Sequence, residues 1–225
     1  MKALERFSMH IRPRLIISVG FLAAVLTVSG VTASSGAIQK VRDLLRSTTT
    51  VGPLAAGTTY GASLIDPTPN LTPAVHGWGG AQFVDHQAGK VRYETAVLFW
   101  QDARHEVDII SGPAMTLSPA DTLARPLSRH FNFAPYAPPT PVKHWTVAGR
   151  QALYFDATAP PPGEWTLVGA NPPELRIDHD NAFRMAALAV RGKTVVIVIH
   201  TPVADFPKFL PIARRLLASL RFPNS

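Results

Sequence analysis

The stretch GKTVVIVIHTPVADFPKFLPIARRLLASLRF (Gly192–Phe222) decides the fold. TVVIVIH (Thr194–His200) is apolar and β-branched and lacks polar alternation. It therefore reads as a strand covered on both faces, and so as a central one. Arg191-Gly192-Lys193 is a tight turn in which glycine accepts a positive φ, joining this strand to FRMAALAV (Phe183–Val190) as a hairpin. Beyond the strand, Phe206, Phe209, Leu210, Ala213, Leu216, Leu217 and Leu220 recur with a 3.6-residue period, the buried stripe of an amphipathic helix. Asp205 suits its N-cap and Pro207 its first turn. Pro211 lies deeper, so the regular part is expected from Lys208. Arg214, Arg215 and Arg221 fall where cations suit the helix dipole. His200, at the strand end, is either a catalytic or metal-binding group or the point where the strand meets water before Thr201-Pro202. The second reading is the plainer. It expects His200→Ala to cost under about 1 kcal/mol, whereas Val196→Asp or Leu216→Asp unfolds the domain.

Outward from this end, most of the chain reads as strands. Thr58–Ile65, Leu71–Trp78, Ala81–His86, Lys90–Trp100 and Glu106–Ile110 are punctuated by Asp66-Pro67, Gly79-Gly80, Gln87-Ala88-Gly89 and Ser111-Gly112-Pro113. LSPADTLARPLSRHF (Leu117–Phe131) changes period, with Leu123, Leu127 and Phe131 four apart. Ser118 or Asp121 can cap a short helix there, and Pro126 predicts a kink. FAPYAPPTPV follows as a stiff extended loop. Lys143–Ala157 reads as a hairpin turning at Ala148-Gly149-Arg150, and EWTLVG and ELRIDHD as short strands around Asn171-Pro172-Pro173. The fold class is α+β: an antiparallel sheet with a helix packed on each face, or two on one face.

The N-terminus carries a different signal. MKALERFSMHIRPR is basic, and LIISVGFLAAVLTVSGVTA (Leu15–Ala33) is 19 residues without a charge. Small residues follow, with Val31-Thr32-Ala33 before Ser34 suiting a cleavage site. A helix of that length spans ~28 Å, nearly the hydrocarbon thickness of a bilayer, so a retained apolar anchor helix is the rival to a cleaved signal. Either way the remainder lies outside the cytoplasmic membrane, secreted or anchored through residues 15–33. The division expected is a signal peptide or anchor over 1–37, a linker with a short helix over 38–53, and a single globular domain over 54–225.

Composition narrows the function. The chain has 225 residues, a net charge of +7 and no cysteine. Disulfides, thiolate metal sites, iron–sulfur clusters and cysteine nucleophiles are therefore excluded. The basic residues are scattered rather than gathered in a stripe with stacking aromatics, so no nucleic-acid partner is expected.

AAGTTYGASLIDP with Gly77-Trp78 at the front, VKHWTVAGRQALYFDA in the middle, and VRGKTVVIVIHTPVADFPKFLPIARRLLASLRF at the back resemble a family of exported actinobacterial proteins of unknown function. Together they cover roughly residues 55–222. The wider likeness is to the PsbP-like α/β/α sandwich with its antiparallel central sheet. The resemblance implies a binding or assembly module rather than an enzyme. It defines no catalytic motif, so it transfers no functional residue.

The polar clusters are weighed individually. Gly192-Lys193-Thr194 is not a phosphate loop, because position 187 is alanine and the residues precede a strand. On a strand Asp178 and Asp180 share one face, a spacing that could hold a hard cation, and His179 points away. An exposed strand end explains them equally well. In QDARHEVD, His105 and Asp108 would make a metal corner only if helical. There is no HExxH, and the stretch reads as a solvated loop and strand edge. His76 and Trp78 are candidates to line a ligand groove, and Trp100, Trp145 and Trp165 serve either a core or such a groove. No G-x-S-x-G or S-x-x-K pattern supports serine chemistry. The expectation is an exported or membrane-anchored cell-envelope protein, a non-enzymatic module for an unknown envelope ligand or protein, without cofactor or bound metal. The alternative is an envelope hydrolase or metal-dependent enzyme using Asp178, Asp180 and His200.

Overall fold

In the computed structural model, residues 48–87, 90–113, 115–129, 142–158, 165–169, 173–177 and 180–223 are described. The apolar segment 15–33, the helical reading of the linker, Asp178 and His179 lie outside them. No helix among the described residues is long and apolar enough to cross a membrane.

The described residues form twelve strands and two helices. β1 (Thr48–Pro53), β2 (Tyr60–Gly61) and β3 (Asn70–Leu71) precede three long strands: β4 (Trp78–Gln87), β5 (Lys90–Trp100) and β6 (Asp102–Ser111). Helix α1 (Pro119–Arg129) is followed by β7 (Lys143–Val147), β8 (Arg150–Thr158), β9 (Trp165–Gly169) and β10 (Pro173–Ile177). The chain closes with β11 (Asn181–Val190), β12 (Lys193–Pro202) and helix α2 (Phe206–Ala218). The main sheet has eight strands in the order β1-β4-β5-β6-β12-β11-β8-β7, and every pairing in it is antiparallel. The predicted antiparallel α+β plan is thus observed, with β12 in the sheet interior as its unbroken apolar run requires.

Alternation along β12 sorts the core into two layers. Val195, Ile197 and Ile199 face one side with Phe209, Ala213, Leu216 and Leu217 of α2. Val196 and Val198 face the other with Leu123 of α1, Phe155 and Phe183. One helix therefore packs on each face. The turn between β11 and β12 has positive φ at both Arg191 (51°) and Gly192 (73°), the two-residue geometry that matches strand twist. Ser118 caps α1: the Asp121 amide donates to Ser118 Oγ at 3.1 Å, and the hydroxyl returns a bond to Asp121 Oδ2 at 2.8 Å. Helix α2 begins earlier than expected, with Pro207 and Pro211 both accommodated, and Asp205 precedes it without a side-chain cap bond.

Two stretches differ from their sequence reading. Thr48–Pro53, assigned to the linker, is an edge strand on β4. Residues 58–78, read as two strands, form only the two-residue β2 and β3 before β4 begins at Trp78. Their apolar residues are spent otherwise: Tyr60, Ala62, Ile65 and Leu71 bury themselves against the α2-side core as an irregular cover. This cover is stapled to the end of α2 by Asn70 N to Arg221 O (2.8 Å), Arg221 N to Asn70 O (2.9 Å) and Thr72 N to Ser219 Oγ (2.9 Å).

Candidate functional site

Neighbouring strands lie ~4.8 Å apart, so an eight-stranded sheet is roughly 34 Å wide, whereas one helix is about 10 Å across. On the α2 side, the helix covers the centre and the 54–72 segment covers the flank beyond it. The opposite flank, formed by β8 and the edge strand β7, has no such cover among the described residues. A groove of about 960 Å³ lies there, between α2 and the β7–β8 hairpin. Trp145, Val147, Leu210 and Leu217 give it apolar walls. Arg214, Arg215 and Arg221 also line it, and no acidic residue does. The helix contributes the exposed or half-buried Pro207, Leu210, Arg214 and Arg215, with Leu217 of the buried stripe beneath them and Arg221 just past the helix end.

The sheet beside the groove is braced on the same face by an ion pair. Arg184 forks onto Asp156 through Nε–Oδ1 at 2.7 Å and Nη2–Oδ2 at 2.8 Å, and its guanidinium lies 4.2 Å from the Tyr154 ring centre. The Trp145 ring has two guanidinium groups nearby, Arg184 at 5.8 Å and Arg214 at 5.9 Å. Arg184 is buried and committed to Asp156, whereas Arg214 and Arg215 are exposed and pair with no carboxylate among the described residues.

His200 is elsewhere, on the α1 side, and it is not where a strand emerges into water. Strand β12 continues to Pro202, and His200 is 0% exposed. Register explains its company: His200 pairs with Glu106 and Val198 with Asp108, so the three polar side chains share a face. The imidazole Nε2 donates to Asp108 Oδ2 at 3.0 Å and lies 3.2 Å from Glu106 Oε2. Nδ1 is buried with no hydrogen-bond partner. Burial alone favours a neutral ring, but the charge of Glu106 and the hydrogen bond to Asp108 outweigh it and raise the pKa to about 10. The strand expected over Glu106–Ile110 is observed within β6, but the reading of Glu106 and Asp108 as solvated fails, because both are buried.

The three side chains offer ligand atoms within 4.8 Å of one another, a nitrogen and oxygen set suited to a divalent metal. A metal would first have to displace the proton that the two carboxylates favour on the ring. It would also have to reach a fully buried imidazole. The arrangement is better described as a closed ion cluster than as a catalytic centre.

The remaining candidates are dispersed. Asp178 lies outside the described residues. Asp180 is exposed in the turn before β11, with φ 67°, and its carbonyl accepts from Val203 N at 2.8 Å. His200 meets Glu106 and Asp108 rather than Asp180. His76 is exposed, whereas Trp78 is 2% exposed and packed against Phe209 at 6.2 Å between ring centres, so the two do not share a groove wall. His105 Nδ1 donates to Asp102 Oδ1 (2.8 Å), and the ring stacks edge-on to Phe209. Burial disfavours the Asp102 carboxylate, but hydrogen bonds from Arg104 N and from the His105 and Arg104 side chains overcome it and hold its pKa below the ordinary value.

No known protein family matches the chain. No curated protein matches it either. Among solved structures, LpqN, involved in cell envelope biogenesis of Mycobacterium tuberculosis, is similar at 11% identity and a TM-score of 0.31, over 77% of this chain and 89% of that one.

Proposed function

We propose that this chain is an exported cell-envelope protein, secreted or held by residues 15–33, and a non-enzymatic binding module of the PsbP-like α/β/α kind. Its ligand occupies the groove between α2 and the β7–β8 hairpin. The groove carries the reading: about 960 Å³ with apolar walls is at the upper end of small-molecule sites, which run ~300–1,000 Å³. Export rests on the basic, apolar and small-residue order of the N-terminus. The hydrolase or metal-enzyme alternative built on Asp178, Asp180 and His200 has less support, because His200 is buried and its Nε2 is engaged by Glu106 and Asp108.

The test is binding of a neutral apolar dye, N-phenyl-1-naphthylamine, followed by its fluorescence. The wild-type protein should bind it. Ala218→Trp, which places an indole at an exposed groove-lining position, should weaken binding at least about tenfold without changing the thermal midpoint. No binding by the wild type, or equal binding by the variant, removes the groove as the site.

A further inference from the structure

Resting on that reading of the groove, we infer that its ligand is a monomeric anionic amphiphile: a lipid whose phosphate head is held by Arg214 and Arg215 while its acyl chain runs along the apolar wall. Three observations converge. The lining is electrically one-sided, with three arginines and no carboxylate. Arg214 and Arg215, near the C-terminal end of α2, are exposed and pair with no carboxylate among the described residues, so their guanidinium groups are available to a ligand. A guanidinium presents a planar fork that matches phosphate oxygens two at a time.

The third observation is how the charge is placed. Arg221 donates to the Ala218 and Leu220 carbonyls at 3.0 and 2.7 Å, which fixes it at the helix end. Arg214 lies beside the face of Trp145, a contact that orients the cation without neutralising it. From Pro207 to Ala218 the helix flank runs roughly 17 Å, long enough for an extended hydrocarbon chain. Val147 and Leu217, both almost fully buried, lie in the core beneath this flank, and Trp145 and Leu210, half-buried, supply the apolar surface the chain would meet. An inorganic anion would satisfy the arginines and leave this wall bare. A neutral lipid would fill the wall and leave the arginines without a partner.

Titrations of the full chain with three probes below their micellar concentrations separate these cases, read by Trp145 fluorescence against a Trp145→Phe control. 1-Oleoyl lysophosphatidate should bind at least about tenfold more tightly than 1-oleoylglycerol, which has the same chain and no charge. Inorganic phosphate at millimolar concentration should not compete. In the Arg214→Glu/Arg215→Glu variant the preference should collapse to below about twofold, while N-phenyl-1-naphthylamine still binds and shows the groove intact. Arg214→Gln/Arg215→Gln should fall between. Equal binding of the two oleoyl probes, competition by phosphate alone, or a preference that survives both substitutions overturns the inference and leaves the groove reading standing. Failure of the wild type to bind the neutral dye removes both.

Discussion

Replacing His200 with alanine removes the imidazolium from between two buried carboxylates. Asp108 is 1% exposed and Glu106 8%, so solvent does little to screen what remains. Breaking a buried ion pair by deleting one partner typically costs ~3–5 kcal/mol, and the void left by the ring adds to it. The expected loss is therefore about 4 kcal/mol, a large part of the stability of an ordinary domain. Equilibrium urea unfolding monitored by intrinsic tryptophan fluorescence reads it directly. The triple replacement Glu106→Leu/Asp108→Leu/His200→Leu should recover most of the loss, because an apolar substitute carries no desolvation cost. The pH dependence supplies a second handle. The folded pKa is raised from 6.5 to about 10, so the histidine's contribution is complete below pH 6.5 and is lost as pH rises through 10. Wild-type stability should fall over that window by at most about 1.4 kcal/mol per pH unit, and His200→Ala should lack this component. A His200→Ala loss below about 1 kcal/mol with an unchanged pH profile would refute the ion-cluster account and return His200 to the exposed strand end that the sequence suggests.

Further outcomes follow from the packing. Val196→Asp and Leu216→Asp each place a charge in one of the two core layers, at 0% and 2% exposure, and each should abolish cooperative unfolding as seen by near-ultraviolet circular dichroism. Arg184→Ala should lower stability by roughly 2 kcal/mol in denaturant melts, and Arg184→Lys should restore only part, since an ammonium cannot fork onto Asp156. Ala148 holds a φ of 53° in the β7–β8 turn, a conformation asparagine adopts more readily, so Ala148→Asn should raise the thermal midpoint through a gain of about 0.5–1 kcal/mol.

Several elements were legible because their local pattern and their tertiary role agree. The unbroken apolar run of β12 can only be covered on both sides, and the 3.6-residue stripe of α2 has only one face to bury. Local pattern failed where cross-strand register decides. Glu106 and Asp108 look solvated in QDARHEVD because charge dominates the stretch, yet their i, i+2 spacing puts both on the face that meets His200 ninety-two residues after Asp108. Their parity was the available signal, but it acquires meaning only once β6 is known to pair with β12. Thr48–Val51 is a β-branched run that could have announced β1, although the Ser/Thr composition and Gly52-Pro53 read as a helix stop. The groove was hidden differently: Arg214 and Arg215 fit the helix dipole so naturally that nothing local asks for a ligand. Only the width of the sheet, too great for one helix and one irregular segment to cover, exposes Trp145 and the arginines as a shared wall.

The central claim is that the groove beside α2, and not the cluster around His200, is where this protein meets its ligand. Its most direct measurement is a two-dimensional nuclear magnetic resonance titration of isotopically labelled protein with 1-oleoyl lysophosphatidate. The account predicts shifts concentrated on the Trp145 indole, the Leu210 and Leu217 methyls and the backbone amides from Lys208 to Arg221 other than Pro211, with Val198–Thr201 unmoved. Shifts centred on His200, Glu106 and Asp108, with Trp145 and the helix flank unchanged, would contradict it.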